Sequence, residues 1–252
     1  MEEMGTQPVC PKCGGSGWII VERAQVSGAE PCDCRAEGRA TRLEEQAQIP
    51  PLYRNCSFDF ETAHDPQMAN ELKRVLNDVR TYAANFPAKV AKPGLLLIGN
   101  PGTGKTHLAV AALRRIIGNG HEGVFFDYQN LLDRIRAGYD EASHSSDKEA
   151  YRAALDAEVL LLDDLGAHRV TDWVLDTVTS IITYRCNYRK ALIATTNLPE
   201  VSRGKSDDGR TDYRRTLEDH IGSRAYSRLY EMCTFIPMPQ AKDYRLRKVR
   251  TF

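Results

Sequence analysis

The sequence predicts an α/β fold, preceded by a small cysteine-bearing module, and three observations predict it. An apolar run, Gly94-Leu95-Leu96-Leu97-Ile98, leads into Gly99-Asn100-Pro101-Gly102-Thr103-Gly104-Lys105-Thr106 and then into a segment with Leu108, Ala111, Ala112 and Ile116 at helical spacing. A second apolar run, Val159-Leu160-Leu161-Leu162, ends in the acids Asp163 and Asp164. A third, Ala191-Leu192-Ile193-Ala194, ends in Thr195-Thr196-Asn197. Short apolar runs with polar tips, alternating with helical patterns, read as buried strands of a parallel sheet whose C-terminal ends face a ligand crevice.

The glycine-rich stretch fits G-x-x-x-x-G-K-[ST], the phosphate-binding loop of nucleotide hydrolases. Its glycines let the backbone fold tightly and turn successive N–H groups toward phosphate oxygens. Lys105 brings a point charge to the β- and γ-phosphates, Thr106 offers a hydroxyl to Mg²⁺, and the helix opening at His107 adds its dipole to the anion site. At the second strand tip, Asp163 can hold Mg²⁺ through water or through Thr106. Asp164 can orient or deprotonate an attacking water. Asn197 can hold that water near the γ-phosphate.

Composition excludes several classes. The chain of 252 residues allows one large domain or two smaller ones. Lys+Arg and Asp+Glu both number 34, so any nucleic-acid affinity must come from local patches. No apolar run approaches the roughly 18 residues of a membrane span, and Met1-Glu2-Glu3-Met4 is no signal sequence. These features indicate a cytoplasmic protein with no membrane partner. The seven cysteines then point to metal or free thiols rather than disulfides.

Taken in order, residues 1–9 read as disordered. Cys10-Pro11-Lys12-Cys13 and Cys32-Asp33-Cys34 have the spacing of a four-thiolate structural zinc site. Gly14, Gly15 and Gly17 suit a tight metal-binding turn, and Trp18-Ile19-Ile20-Val21 suits one strand of a small ribbon. Cys56, Cys186 and Cys233 are scattered and read as core or surface residues. Residues 35–49 read as a charged connecting helix, a solvated linker ended by Pro50-Pro51. Asp65-Pro66 starts a helix that runs to about Phe86, with Met68, Leu72, Val75, Leu76 and Val79 on its apolar face.

Beyond the phosphate loop, Gly123 to Tyr128 reads as a strand, Gln129 to Ala137 and Lys148 to Asp156 as helices, and Gly138 to Asp147 as a polar loop between them. Thr171 to Lys190 is a long helix, and residues 200–216 are a charged, mobile loop. Leu217 to Met232 forms the last helix, with Arg224 and Arg228 four apart on one face. Cys233 to Met238 is the last strand, and the tail from Ala241 holds five basic residues and one acid.

This order of motifs resembles the AAA+ ATPases. Residues 51–252 resemble, more narrowly, the bacterial helicase loaders of the DnaC/DnaI type and the related IstB-like ATPases. The resemblance rests on Arg54-Asn55-Cys56-Ser57-Phe58, Gly99 to Thr106, Leu162-Asp163-Asp164-Leu165-Gly166, Thr195-Thr196-Asn197, Gly222 to Leu229 and Asp243-Tyr244-Arg245. It implies a three-layer α/β/α domain around a parallel five-stranded sheet of order 5-1-4-3-2, with no helical lid after the last strand. It implies that residues 1–36 form a zinc-binding module, 37–50 a helical linker and 51–252 the ATPase domain. It makes Arg228 an arginine finger acting on a neighbour's ATP, with Arg224 one turn before it.

The function so implied is an ATP- and Mg²⁺-dependent loader of a replicative DnaB-type helicase hexamer. Such a loader holds single-stranded DNA and self-associates into an open ring or spiral, and its zinc module docks on the helicase. Asp164 stands where many AAA+ proteins carry Glu, and the shorter arm favours a slow switch. The rival readings are an IstB-like transposition ATPase, acting on duplex DNA with a transposase, and a non-hydrolysing nucleotide-gated adaptor.

Overall fold

The structure, a computed structural model, describes residues 10–23, 26–59, 66–138, 145–200, 215–240 and 243. The expectations for residues 1–9, the cap at Asp65, most of the two polar loops, and Tyr244-Arg245 with the rest of the tail lie outside the described residues, as does the side chain of Met68.

Strands β3 (Gly94–Ile98), β4 (Gly123–Asp127), β5 (Val159–Asp163), β6 (Ala191–Thr196) and β7 (Cys233–Pro237) form one sheet in the order β4-β5-β6-β3-β7. Read from the other edge, this is the order 5-1-4-3-2, and all four pairings are parallel. Both faces are covered, which is why the central strands are apolar throughout rather than alternating. Leu95, Leu97, Phe125, Leu161 and Ile193 face one core, and Leu96, Phe126, Leu160, Leu162 and Leu192 face the other.

The first core is closed by α1 (Asp33–Gln46), α2 (Pro66–Asn85) and α3 (Lys105–Gly118). The second is closed by α4 (Tyr128–Ala137), α5 (Ser145–Asp156), α6 (Asp172–Asn187), α7 (Leu217–Ile221) and α8 (Ser223–Met232). The architecture is thus the expected three-layer α/β/α of the AAA+ type. Val75 and Val79 of α2 are buried as its stripe predicts, and the stripe continues through Tyr82 to Phe86. No described helix is long and apolar enough to cross a membrane, and among the described residues no helix follows β7.

Two expectations are corrected. Residues 35–49 are no solvated linker. Helix α1 starts at Asp33, crosses residues 36 and 37 without a break, and buries Leu43, while Ala47 and Ile49 behind it also join the first core. The Ala47 carbonyl accepts the Phe125 N–H (2.8 Å), so the end of this segment covers the edge of β4. A charged composition hid this role, because the apolar residues are few and widely spaced. The last helix is also two helices, not one. Gly222, at φ 83 and ψ 151, adopts a conformation closed to other residues and breaks it between α7 and α8. A capping box between Thr216 and Asp219 starts α7.

Ahead of this domain, β1 (Trp18–Arg23) and β2 (Val26–Pro31) form an antiparallel hairpin. The Cys32 N–H returns to the Gly17 carbonyl (2.9 Å), and Arg35 of α1 lies over the Trp18 ring (4.6 Å).

Candidate functional site

The phosphate-binding segment joins β3 to α3 at the C-terminal edge of the sheet. Gly102 (φ 73) and Gly104 (φ 92) take left-handed backbone that other residues adopt only with strain, and Gly104 caps α3. The Thr103 hydroxyl braces the loop by donating to the Asn100 carbonyl (2.9 Å). Gly99, Asn100 and Pro101 form its first limb, and the Gly99 N–H bonds the Thr196 carbonyl of β6 (3.2 Å).

Lys105 is buried at the start of α3, and its ammonium donates to the Gly99 and Asn100 carbonyls (2.9 and 2.8 Å) and to Asn197 Oδ1 (2.6 Å). Asn197 Nδ2 donates in turn to Asp164 Oδ1 (2.9 Å). The lysine, amide and acid thus form one chain across the tips of β3, β6 and β5. Beside it, the Thr106 hydroxyl donates to Asp163 Oδ1 (2.9 Å) and lies 3.2 Å from Oδ2. The sheet therefore brings together the residues the sequence predicted for a nucleotide: the loop, Lys105, Thr106, Asp163, Asp164 and Asn197.

Burial pushes the Asp163 carboxyl up, the Thr195 and Thr106 hydroxyls oppose the shift, and Asp164 and Asp127 push it further up. A group so placed gains from a nearby cation. Asp163, the Thr106 hydroxyl and a cradle of backbone N–H groups are hard oxygen and amide donors, and they fit a Mg²⁺–nucleotide. His107 follows in the first turn of α3, and its Nε2 meets the Ser57 carbonyl (2.8 Å), tying α3 to the Arg54–Phe58 segment.

Sequence reasoning missed two contributors. Thr195 is fully buried behind the acid pair, with its hydroxyl on Asp163 Oδ1 (2.6 Å). Its signal was available, since a hydroxyl in a fully buried strand must find a partner. Asp243 lies against the loop: a Cβ added to Gly102 would run into its carboxylate and come within 2.7 Å of its Cα. That closeness brings Asp243 to the loop; the sequence offers Asp243-Tyr244-Arg245 only as part of the resemblance and gives Asp243 no role at the site.

Arg224 and Arg228 sit on α8. Arg228 is half-exposed and paired with Glu231 at 2.7 Å, with the Cys186 thiol of α6 alongside. Arg224 is exposed.

At the other end of the chain, the sulfurs of Cys10, Cys13, Cys32 and Cys34 all lie within 4.8 Å of one another. The Cys10–Cys32 and Cys13–Cys34 distances are 3.9 and 3.5 Å. Tetrahedral zinc–thiolate bonds of about 2.3 Å place sulfurs about 3.8 Å apart, so the set fits zinc. Burial opposes ionisation of Cys13, but the Gly17 N–H and the Cys34 thiol outweigh it and bring the group to about 6. Cys34 is pushed up to about 12 by Cys13 and Cys32. One thiolate thus suppresses the next, and a divalent cation removes that conflict.

The sequence matches the IstB-like ATP binding protein family over residues 29–206. It is 26% identical over 236 residues to the phage-like element PBSX protein XkdC of Bacillus subtilis, covering 89% of this chain and 79% of that one. It is 24% identical over 166 residues to the replicative helicase loader DnaC of Buchnera aphidicola, covering 64% of this chain and 65% of the relative. The fold superposes on a crystal structure of the DnaC helicase loader with a TM-score of 0.60 and 34% identity, covering 75% of this chain and 99% of that one. With its phosphate loop, acid pair and sheet order in register with one another, the chain belongs to the IstB-like ATP binding protein family.

Proposed function

We propose that this chain is an ATP-dependent loader of a replicative DNA helicase and acts as a slow ATPase switch. The observation that carries the reading is the Lys105–Asn197–Asp164 chain beside the Thr106–Asp163 pair. The similarity to DnaC proteins supplies the process.

In this reading the loop from Gly99 to Thr106 cradles the phosphates and Lys105 neutralises them. Thr106 and Asp163 hold Mg²⁺, which when bound offsets charge on the β- and γ-phosphates. Lys105 turns from the Gly99 and Asn100 carbonyls toward the phosphates. Asn197 then holds the attacking water with Asp164, which orients it or takes its proton. Arg228, with Arg224 a turn earlier, leaves Glu231 to reach the ATP of a neighbouring subunit, so turnover waits on assembly into an open ring or spiral around single-stranded DNA. Residues 1–36 form the zinc module that docks on the DnaB-type hexamer, with Cys10, Cys13, Cys32 and Cys34 as ligands. Helix α1 begins inside this module and packs Leu43 into the first core, so it couples the module to the ATPase domain of residues 51–252.

Titration with a fluorescent ATP analogue tests the site. The parent should bind and Lys105→Ala should not; equal binding would remove the site assignment. Size-exclusion chromatography with a DnaB-type hexamer, with and without ATP, tests the process. An ATP-dependent complex supports the loader, whereas a complex formed only with a transposase on duplex DNA makes the chain a transposition helper. A complex without any turnover makes it a nucleotide-gated adaptor.

A further inference from the structure

Strand β6 is covered on both faces, so each hydroxyl at its C-terminal end must be satisfied by protein. The Thr196 hydroxyl serves the turn, donating to the Leu165 carbonyl (2.8 Å) and accepting the Leu198 N–H (3.1 Å). Thr195 does something different. Its hydroxyl donates to Asp163 Oδ1 (2.6 Å) and accepts the Asp164 N–H (2.9 Å), and its carbonyl accepts the Leu165 N–H (2.8 Å). One side chain thus grips both acids from behind.

Each grip meets a specific demand. Asp163 Oδ1 receives hydroxyls from Thr106 and Thr195, while among the described residues Oδ2 has only the longer Thr106 contact at 3.2 Å. Two donors on one oxygen fix the carboxylate plane and leave the other oxygen available. Asp164 has φ 54, a left-handed conformation that a residue with a Cβ adopts only when its surroundings hold it there. The Thr195 hydroxyl and carbonyl bind the N–H groups at Asp164 and Leu165, so they hold that turn in place.

We infer that Thr195 is a positioning residue that orients Asp163 toward Mg²⁺ and fixes the turn that presents Asp164. It touches neither nucleotide nor metal; it acts through the two acids. The inference rests on the reading of Thr106 and Asp163 as the Mg²⁺ holders. Removing a hydrogen-bond partner behind a metal ligand typically lowers metal affinity about 10–100-fold.

The test uses the full chain and a fluorescent ATP analogue, with binding measured at a series of Mg²⁺ concentrations and again in chelator. Thr195→Val keeps the shape and deletes the hydroxyl. It should shift the Mg²⁺ concentration for half-maximal binding upward about 10–100-fold and leave binding in chelator unchanged. Thr195→Ser restores the hydroxyl and should return the parent curve. Should the valine variant fail to fold, Thr195→Cys, a weak donor of similar volume, should give an intermediate shift. Thr195→Val matching the parent at every Mg²⁺ concentration overturns the inference, as does equal loss with and without Mg²⁺, which marks a purely structural residue. A parent whose binding ignores Mg²⁺ overturns the reading of Thr106 and Asp163 and this inference with it, an outcome distinct from either result on the variant.

Discussion

The cysteine module and the phosphate site are built on opposite principles. Between Cys10 and Cys34, Cys32 is the one buried apolar side chain among the described residues, and Trp18 and Ile20 are 47% and 76% exposed. The hairpin has almost no core of its own. The phosphate site stands on strands β3, β5 and β6, whose apolar residues are buried from both sides. In the first region the four sulfurs are the core, so ligand and fold are one thing. In the second the fold holds without the ligand, and the loop, acids and amide ride on strand tips already fixed by packing. Metal removal should therefore unfold one region, while site substitutions should silence the other and leave it standing.

The largest effect tests the first half of this contrast. Metal analysis should find one zinc per chain, and a strong chelator should abolish amide-exchange protection over residues 10–34 while the sheet stays protected. Metal-coupled folding of this kind is worth about 10–16 kcal/mol in apparent terms. A zinc-free protein, with Cys32→Ser fully folded and active, would dissolve the contrast.

The next effect tests the second half. A trans-acting arginine contributes about 10³–10⁵ in rate, so Arg228→Ala should lose DNA- or helicase-stimulated ATP turnover while melting like the parent. Its partner in the structure is Glu231, on the surface, so no core is disturbed. Mixed with Lys105→Ala, it should regain part of the activity, because a mixed interface pairs an intact Lys105 with an intact Arg228. A mixture that stays dead beside an active parent, or Arg228→Ala with full stimulated turnover, removes the trans-acting role.

The two regions were also unequally legible in the sequence. The strand tips could be read because the phosphate loop at Gly99 to Thr106 precedes them: an apolar run ending in Asp163-Asp164 is a weak signal alone and a strong one behind that loop, and resemblance supplied the sheet order. The hairpin was half legible: Trp18 to Val21 shows a strand, but its partner β2 (Val-Ser-Gly-Ala-Glu-Pro) carries little apolar patterning because it has little core to face. Helix α1 was misread for a related reason. It joins the main core through few residues, so charge dominated its pattern. The break at Gly222 was missed because apolar residues keep helical spacing on both sides of it. The Asp243 contact joins distant parts of the chain, and the resemblance that includes Asp243 gives it no role at the site.

A third experiment compares one glycine from each region. Gly14 (φ 58) has nothing within 4 Å of an added Cβ, whereas at Gly102 (φ 73) the Cβ meets Asp243. Gly14→Ala should cost only the left-handed backbone term, about 1–2 kcal/mol. Gly102→Ala should cost that and also displace Asp243, weakening ATP-analogue binding with little change in the melting of the sheet. Equal behaviour of the two variants in binding would mean that Asp243 does not bear on the loop.

The smallest effect lies where the two regions meet. Glu44 of α1 accepts from Arg114 Nε of α3 at 2.6 Å, with the side chains 40% and 30% exposed. Arg114 also donates to the Cys56 carbonyl at 2.7 Å. The carboxylate is open to water, so the pair should couple by only about 0.2–1 kcal/mol in a double-mutant cycle. The two single variants should differ, however. Glu44→Gln leaves Arg114 on the Cys56 carbonyl and should melt close to the parent. Arg114→Met frees that carbonyl as well and should destabilise more, by about 1–3 kcal/mol for a stranded buried acceptor. If α1 belongs to the ATPase core, both changes appear in the melting of the sheet and persist when zinc is chelated. If α1 belongs with the hairpin, chelation removes the helix from the core and the difference between the variants vanishes. Amide exchange over Leu43 to Ile49 in the chelated protein separates these outcomes, and the burial of Leu43, Ala47 and Ile49 against the first core predicts that protection there survives.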